Sequence, residues 1–530
     1  MSKAANMIKF PKLSIFHLDD LPNLSGFCKA INAIDLPQLN SLHLGGIPKL
    51  RSLCPAFEGN IGTNIRPLFN EVTLTSIQEL EFYHMDNLIE IWPEHLPAKL
   101  KRINVTECHK LSYIFQSNLI NCFQDLEHLH VRQCNLLETI FDLEVPDVGE
   151  GHPVVALPSL ATVDLTHLPK LMHIWKKNSP RIEGFNNLRS LKVTKCDSLR
   201  ILLSPSTAKL FAKLQELDIQ KCELMEAVVA REPVEDQEEK EVTTNIILFP
   251  QLTCLKLKLL PNLVSFCPKA CTFEISPLKD LRVIFCPKMK TLCDADADAV
   301  QKVDFAKPVP PQLFDGKFTI SSIGELAVSG IDEPTEIWHS QLEAVCLNVV
   351  RGMSLQDCGK LLSVVSAHSI QRLHKLGRLY VRCCDSLEVV FDLEGLSVEE
   401  GAVTQLSELE LGYLPQLTHI WNKCPRDIQC FQNLRSLKVK RCDSLTHIFT
   451  PSTAKLLVKL AFLNIGRCEK VEQIIARGEE ATVEDLLPCL VTVELKHLPV
   501  LVRFGPDYSN FRPAHCDGMT IGLCPKYVRP

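Results

Sequence analysis

Glycine is scarce in this chain. It accounts for 22 of 530 residues, about 4% where about 7% is usual. That leaves little material for the glycine-rich loops that cradle phosphates. No G-x-x-x-x-G-K-[ST] run occurs, and the two Gly-Lys pairs, at 316–317 and 359–360, precede Phe318 and Leu361. An excess of basic charge is also missing. Lys and Arg number 57 against 63 Asp and Glu, a net charge of −6, which argues against a dedicated nucleic-acid binder. No apolar run approaches the roughly 18 residues that span a membrane. The first twenty residues lack the apolar core, about 7–15 residues long, of a secretory signal. Neither H-E-x-x-H nor G-x-S-x-G is present, so metalloprotease and serine-hydrolase chemistry have no foothold. What remains has the make-up of a folded protein, 46% hydrophobic and 23% charged.

Cysteine is the exception to this ordinary composition. There are 23, about 4% of the chain, too dilute for a disulfide scaffold, which carries more than about 8–10%. An odd count without a secretory signal predicts free thiols in a reducing compartment. Cys267 and Cys271 lack a second pair at zinc spacing. Asp294, Asp296 and Asp298 begin like a calcium loop, but Ala299 and Phe305 stand where a glycine and a bidentate glutamate are needed. His128 and His130 share one strand face and read as solvated. No metal and no cofactor is expected.

Length alone suggests three or four domains at about 150 residues each, but an internal repeat overrides that estimate. Residues 188–199 read LRSLKVTKCDSL and residues 434–445 read LRSLKVKRCDSL. Both fit L-x-x-L-x-L-x-x-C-x-x-L. The frame opens 17 times between Leu13 and Leu490, mostly 23–38 residues apart with one gap of 45, and an eighteenth opens at Cys516. The x-L-x-L-x core alternates with period 2, so it is a short strand with one face buried. One repeat cannot bury that face alone, and stacking neighbours makes the core continuous. The expectation is an α/β leucine-rich-repeat solenoid: a curved horseshoe with a parallel concave sheet and an irregular or short-helical convex side.

The ninth frame position holds Cys in ten repeats, among them Cys196 and Cys442, and an apolar residue followed by Pro in six, among them Leu168-Pro169. Buried Cys acts there as a small filler, while Pro is expected to end the strand. Cys442 is therefore expected in the core, and Cys424 in a loop. Ser204 and Thr450 precede Pro-Ser-Thr-Ala-Lys-Leu and read as helix caps. All four Trp residues, 92, 175, 338 and 421, follow an Ile, with a spacing of 83 inside each pair. This suggests a duplication, with residues 1–76 as N-terminal repeats and a loop, 77–322 as a first eight-repeat block, and 323–530 as a second whose last repeat is truncated. Loops are expected at 54–76 and 293–322, and acidic ones at 231–241 and 478–485.

Outward strand positions carry eleven bases and ten acids, a nearly neutral face. Its richest local patch is Arg378, Tyr380, Arg382, Lys438 and Lys440, interrupted by Glu408 and Glu410. Charge-assisted bonds and a tyrosine anchor suit it to an acidic protein partner.

The phrases FNNLRSLKVTKCDSLR, LPSLATVDLTHLPKLMHIWK and FPQLTCLKLKLLPNLVSFCP resemble the C-terminal repeats of plant coiled-coil nucleotide-binding leucine-rich-repeat immune receptors. The alternation of C-x-x-L and L-P-x-L frames with a following Ile-Trp is shared, over nearly the whole chain. The resemblance implies a cytoplasmic role in disease resistance without catalysis by this chain. The implied partners are a pathogen effector, a guarded host protein, or a nucleotide-binding domain supplied in trans. It carries over no nucleotide residue, because His84-Met85-Asp86 is not the Met-His-Asp motif of that switch. F-box substrate-recognition subunits of ubiquitin ligases also use Cys-containing repeats, and are the alternative. No amphipathic F-box helix precedes Leu13, and the repeat lengths are irregular.

Overall fold

The structure is a computed structural model that describes residues 8–24, 34–51, 53, 76–92, 99–116, 119–143, 154–176, 182–230, 249–267, 273–275, 278–289, 292, 312–314, 318–320, 323–331, 336–338, 350–370, 373–396, 404–423, 430–477, 486–505 and 518–528. Cys271, Cys424, Asp294, Asp296, Asp298 and the segments 231–241 and 478–485 lie outside the described residues, as does most of 54–76 and 293–322. The chain divides into two compact units. One comprises Met1–Val242, Ile246–Cys254 and Leu259–Pro261; the other comprises Thr243–Asn245, Leu255–Lys258 and Asn262–Pro530.

Each unit is a leucine-rich-repeat solenoid. In the first, the strands Ile15–Leu18, Ser41–Gly45, Glu79–Tyr83, Arg102–Thr106, His128–Arg132, Thr162–Thr166, Ser190–Thr194 and Glu216–Gln220 pair in parallel, each with the next. In the second, Asp280–Ile284, Glu325–Ser329, Gly352–Gln356, Arg378–Arg382, Glu408–Gly412, Ser436–Lys440, Phe462–Gly466, Thr492–Lys496 and Gly518–Gly522 do the same. The strand Cys254–Lys258 lies at the division. Every strand begins two residues after a frame opening. The alternation predicted from sequence holds: in Arg378–Arg382, Leu379 and Val381 are fully buried while Arg378 and Arg382 are exposed.

The strands end in a way the sequence did not announce. In each repeat whose strand is described, a left-handed residue follows, with φ between 50° and 61°. Only Gly46 and Gly330 are glycines there. In most repeats its N–H donates to the carbonyl that closes the next strand, as Arg441 N does to Gly466 O at 3.0 Å and Arg467 N to Lys496 O at 3.0 Å. The same turn occurs in Cys and Pro repeats alike: Leu199 N reaches Cys196 O at 3.2 Å and Leu171 N reaches Leu168 O at 3.1 Å. Proline was expected to end the strand. The left-handed residue does so instead, before Pro is reached.

A second row of short parallel strands follows about ten residues on. It includes Tyr113–Phe115, Thr139–Asp142 and His173–Lys176 in the first unit, and Ser363–Ser366, Val389–Asp392 and His419–Asn422 in the second. Helices are few and short: α-helices at Pro205–Lys209, Ala367–Ile370 and Pro451–Leu456 and a 3-10 turn at Ile120–Cys122 among the described residues. Both expected caps form, with Ser204 Oγ accepting from Thr207 N at 3.1 Å and Thr450 Oγ1 from Thr453 N at 3.2 Å. Two short strands, Gln312–Phe314 and Phe318–Ile320, lie where only loop was expected.

The Ile-Trp signature belongs to this second row. Trp92, Phe115, Phe141 and Trp175 stack face to face, with centroids 5.8, 5.2 and 5.8 Å apart. Phe123 and Phe185 meet them edge-on. The second unit repeats the arrangement with Phe391, Trp421 and Phe449 stacked and Phe431 edge-on. Offset and edge contacts add about 0.5–1.5 kcal/mol per pair beyond the area they bury.

Candidate protein-interaction surface

The five residues singled out from the sequence lie on two strands, Arg378–Arg382 and Ser436–Lys440, separated by Glu408–Gly412. All point outward. The structure brings them together, but with acids interleaved. Arg378 Nη2 meets Glu325 Oε1 at 2.7 Å. This pair bridges two strands because Gly352, the residue between them in register, has no side chain; a Cβ there would lie 2.2 Å from Glu325 Oε2. Tyr380 donates its hydroxyl to Glu408 Oε2 at 2.8 Å, and burial with this carboxylate raises its pKa. Arg382 pairs with Glu410, whose second oxygen lies 4.0 Å from Lys438 Nζ. Lys438 also sits 6.0 Å from the Phe462 ring centroid. Four of the five residues are thus engaged with carboxylates. Lys440 makes no ion pair among the described residues.

Beyond Lys440 the surface changes character. The last strand position reads Arg382, Gly412, Lys440, Gly466, Lys496, Gly522 in register. The left-handed residues that follow Gly412, Lys440, Gly466 and Lys496 are Tyr413, Arg441, Arg467 and His497. Lysines alternating with glycines leave a cleft of about 400 Å³, lined by Tyr413, Lys440, Arg441, Asn464, Gly466, Arg467, Glu494, Lys496 and His497. Arg441 lies 4.9 Å over the Tyr413 ring, which is 49% exposed. Glu494 accepts from Asn464 at 2.8 Å and pairs with Lys496 at 3.2 Å. Lys440, Arg441 and Arg467 have no carboxylate partner among the described residues. The left-handed residues were missed because only strand positions were counted. The signal available was their fixed place, one residue before the Cys or apolar-Pro position.

The first unit carries a different polar seam. His17 Nε2 lies 2.9 Å from the Tyr83 hydroxyl, which crosses over Gly45; a Cβ there would sit 2.0 Å from the ring. Burial, then Asp19, raises the Tyr83 pKa to about 12. Ser41 Oγ lies 2.7 Å from His43 Nε2, and His43 Nδ1 lies 2.6 Å from Glu81. The order mimics a serine-hydrolase relay. Ser41 is only 5% exposed, however, and its N–H is bonded to Ser14 O at 3.1 Å, so neither an open nucleophile nor an oxyanion donor is offered at that residue. The paired histidines His128 and His130 face outward as expected, toward Thr162 at 2.7 Å and Asp164 at 3.7 Å. No group of three metal-ligating side chains occurs among the described residues, and no helix there is long and apolar enough to cross a membrane.

Among solved structures, a leucine-rich-repeat protein of Leptospira interrogans matches at 16% identity and a TM-score of 0.33, covering 80% of this chain and 84% of its own. An internalin of Listeria monocytogenes matches at 9% identity and a TM-score of 0.27, covering 89% and 82%. A search of curated proteins finds no match. The family model described as plant disease resistance protein RPS2-like, leucine-rich repeats, matches residues 76–223, 207–298 and 322–469, well over half of the chain. The chain belongs to the RPS2-like leucine-rich-repeat family of plant disease resistance proteins.

Proposed function

We propose that this chain is a cytoplasmic protein-recognition module of plant innate immunity. It recognises a pathogen effector or an effector-modified host protein, or restrains a nucleotide-binding switch domain supplied in trans, and it catalyses nothing itself. Nucleic acid is not among its partners in this reading. The observation that carries it is the strand face: a rigid lattice of buried Leu, Val and Ile presents outward side chains of varied chemistry at strand spacing, the surface that repeat proteins use for extended contacts. We also read residues 77–322 and 323–530 as duplicated eight-repeat blocks, supported by the paired capped helices and the paired aromatic stacks.

The patch at Arg378, Tyr380, Arg382, Lys438 and Lys440 belongs to this face. Interleaved acids give it a patterned rather than uniformly basic potential, suited to selecting a partner of matching pattern. Affinity capture from plant extract with the full chain tests the reading. Arg382, Lys438 and Lys440 changed together to Glu should lose captured proteins in a salt-sensitive way, with folding verified by circular dichroism. An unchanged capture profile would remove the patch from the recognition surface.

A further inference from the structure

We infer that the cleft between Tyr413 and His497 is an anchoring subsite for the carboxylate side chains of an acidic protein segment. The inference deepens the recognition reading above and rests on it. Most cations on the strand face already have their counter-charge. Arg102 meets Glu79 at 3.0 Å, Arg132 meets Asp164 at 3.3 Å, Lys192 meets Glu216 at 3.4 Å, and Arg378 and Arg382 are paired as described. The cleft breaks this pattern. Lys440, Arg441 and Arg467 converge on it without a carboxylate among the described residues, and its one acid, Glu494, is already held by Asn464 and Lys496.

The shape is set by backbone. Gly466 lies between Lys440 and Lys496 in register, so the floor carries no side chain. Left-handed backbone at Arg441 and Arg467, φ 54° and 57°, places these residues at the end of the strands, along one wall. A volume of about 400 Å³ is at the small end of ligand sites and admits one or two acidic side chains. Guanidinium forks bind carboxylates with two parallel bonds, and unpaired ones lose the least on doing so.

Protein carboxylates fit better than a nucleic-acid strand. A phosphate backbone needs a continuous basic track, whereas Glu408, Glu410 and Glu494 interrupt this face. Base stacking needs an open aromatic ring, and the Tyr413 ring carries Arg441.

The test uses the full chain and a fluorescein-labelled Glu-rich decapeptide, read by fluorescence anisotropy at low and at physiological salt. Its Gln counterpart, a phosphoserine peptide and a single-stranded RNA serve as comparison probes. The Glu peptide should bind more tightly than the others and weaken with salt. Arg441→Gln with Arg467→Gln should weaken it about tenfold or more. Gly466→Leu should do so too, by filling the floor with no change of charge; a Cβ there meets only Lys496 O, at 3.4 Å. Arg102→Gln, in the first unit, should leave binding unchanged. Equal binding of the Gln peptide, tighter binding of RNA or phosphopeptide, or indifference to the cleft variants would overturn the proposal. Capture from plant extract that survives the Arg441 and Arg467 changes but fails when Arg382 and Lys438, outside the cleft, are changed to Glu would overturn this cleft while leaving the recognition reading standing.

Discussion

Cysteine does more in this lattice than fill space. Each of the ten frame cysteines donates its thiol back to the carbonyl two residues earlier, as Cys442 Sγ does to Lys440 O at 3.6 Å and Cys384 Sγ to Arg382 O at 3.3 Å. Burial raises the Cys442 thiol and pushes that of Cys468 up to about 11, so almost no thiolate exists at neutral pH. Two outcomes follow. Cys442→Ser should destabilise the fold by about 1–3 kcal/mol, because a more strongly hydrated group replaces a soft one in the core. Cys489→Ser, at an exposed position, should stay within about 0.5 kcal/mol. Urea midpoints for the two variants decide this, and equal shifts would sink the packing assignment. In native protein, iodoacetamide should label Cys489 and spare Cys442 and Cys468. The left-handed residue gives a second test. Lys195 has φ 54°, which costs a non-glycine residue about 1–2 kcal/mol. Lys195→Gly should therefore hold or raise the melting temperature, while Lys192→Gly, in the neighbouring strand, should lower it by the equivalent of about 0.5–1 kcal/mol.

At the level of the strand and its neighbours, the sequence was legible where side chains repeat and opaque where the backbone decides. Apolar residues at period 2 marked every strand of the frame row, and Ser204 and Thr450 marked two helices, whereas the second row of short strands carried no such mark. The strand-ending position escaped notice because Leu259, Phe285, Tyr413, Arg441 and His497 share no chemistry; only their φ is common. Pairing across strands was hidden for a related reason. Glu325 and Arg378 are 53 residues apart and meet only because Gly352 leaves room. Counting charges along the strands gave the right inventory without showing which charges were already spent. Asp164 illustrates the energetic consequence. The His130 ring facing it at 3.7 Å, then a hydrogen bond from Thr166 and the Arg132 charge, hold its carboxyl down at about 2 against an ordinary 3.8. A depressed folded-state pKa stabilises the fold above the unfolded value, and that contribution fades as pH falls through the folded one. Asp164→Asn should therefore flatten the stability profile between about pH 4 and pH 2, as acid titration of the melting temperature would reveal.

Across a whole solenoid unit, each repeat touches its neighbours and little else, so stability is the sum of repeat terms and nearest-neighbour interfaces. Leu437 in the strand Ser436–Lys440 is fully buried and faces Leu409 and Leu463 in register. Leu437→Ala removes methyl groups from that shared core and should cost about 2–5 kcal/mol. In a globule with a single centre the loss would spread to every strand. Here it should stay local. Amide exchange in Glu408–Gly412 and Phe462–Gly466 should quicken by factors that match the destabilisation, while Asp280–Ile284, five strands away in the same unit, should keep the protection it has without the substitution. Hydrogen-exchange mass spectrometry of the two chains side by side separates the outcomes. Uniform loss of protection across the second unit would mean that it unfolds as one cooperative block and that the nearest-neighbour account fails. A local loss has a functional corollary: the cleft floor at Gly466 lies in the next strand to Leu437, so this core substitution should also loosen the cleft and weaken the Glu-rich peptide without altering any residue that lines it.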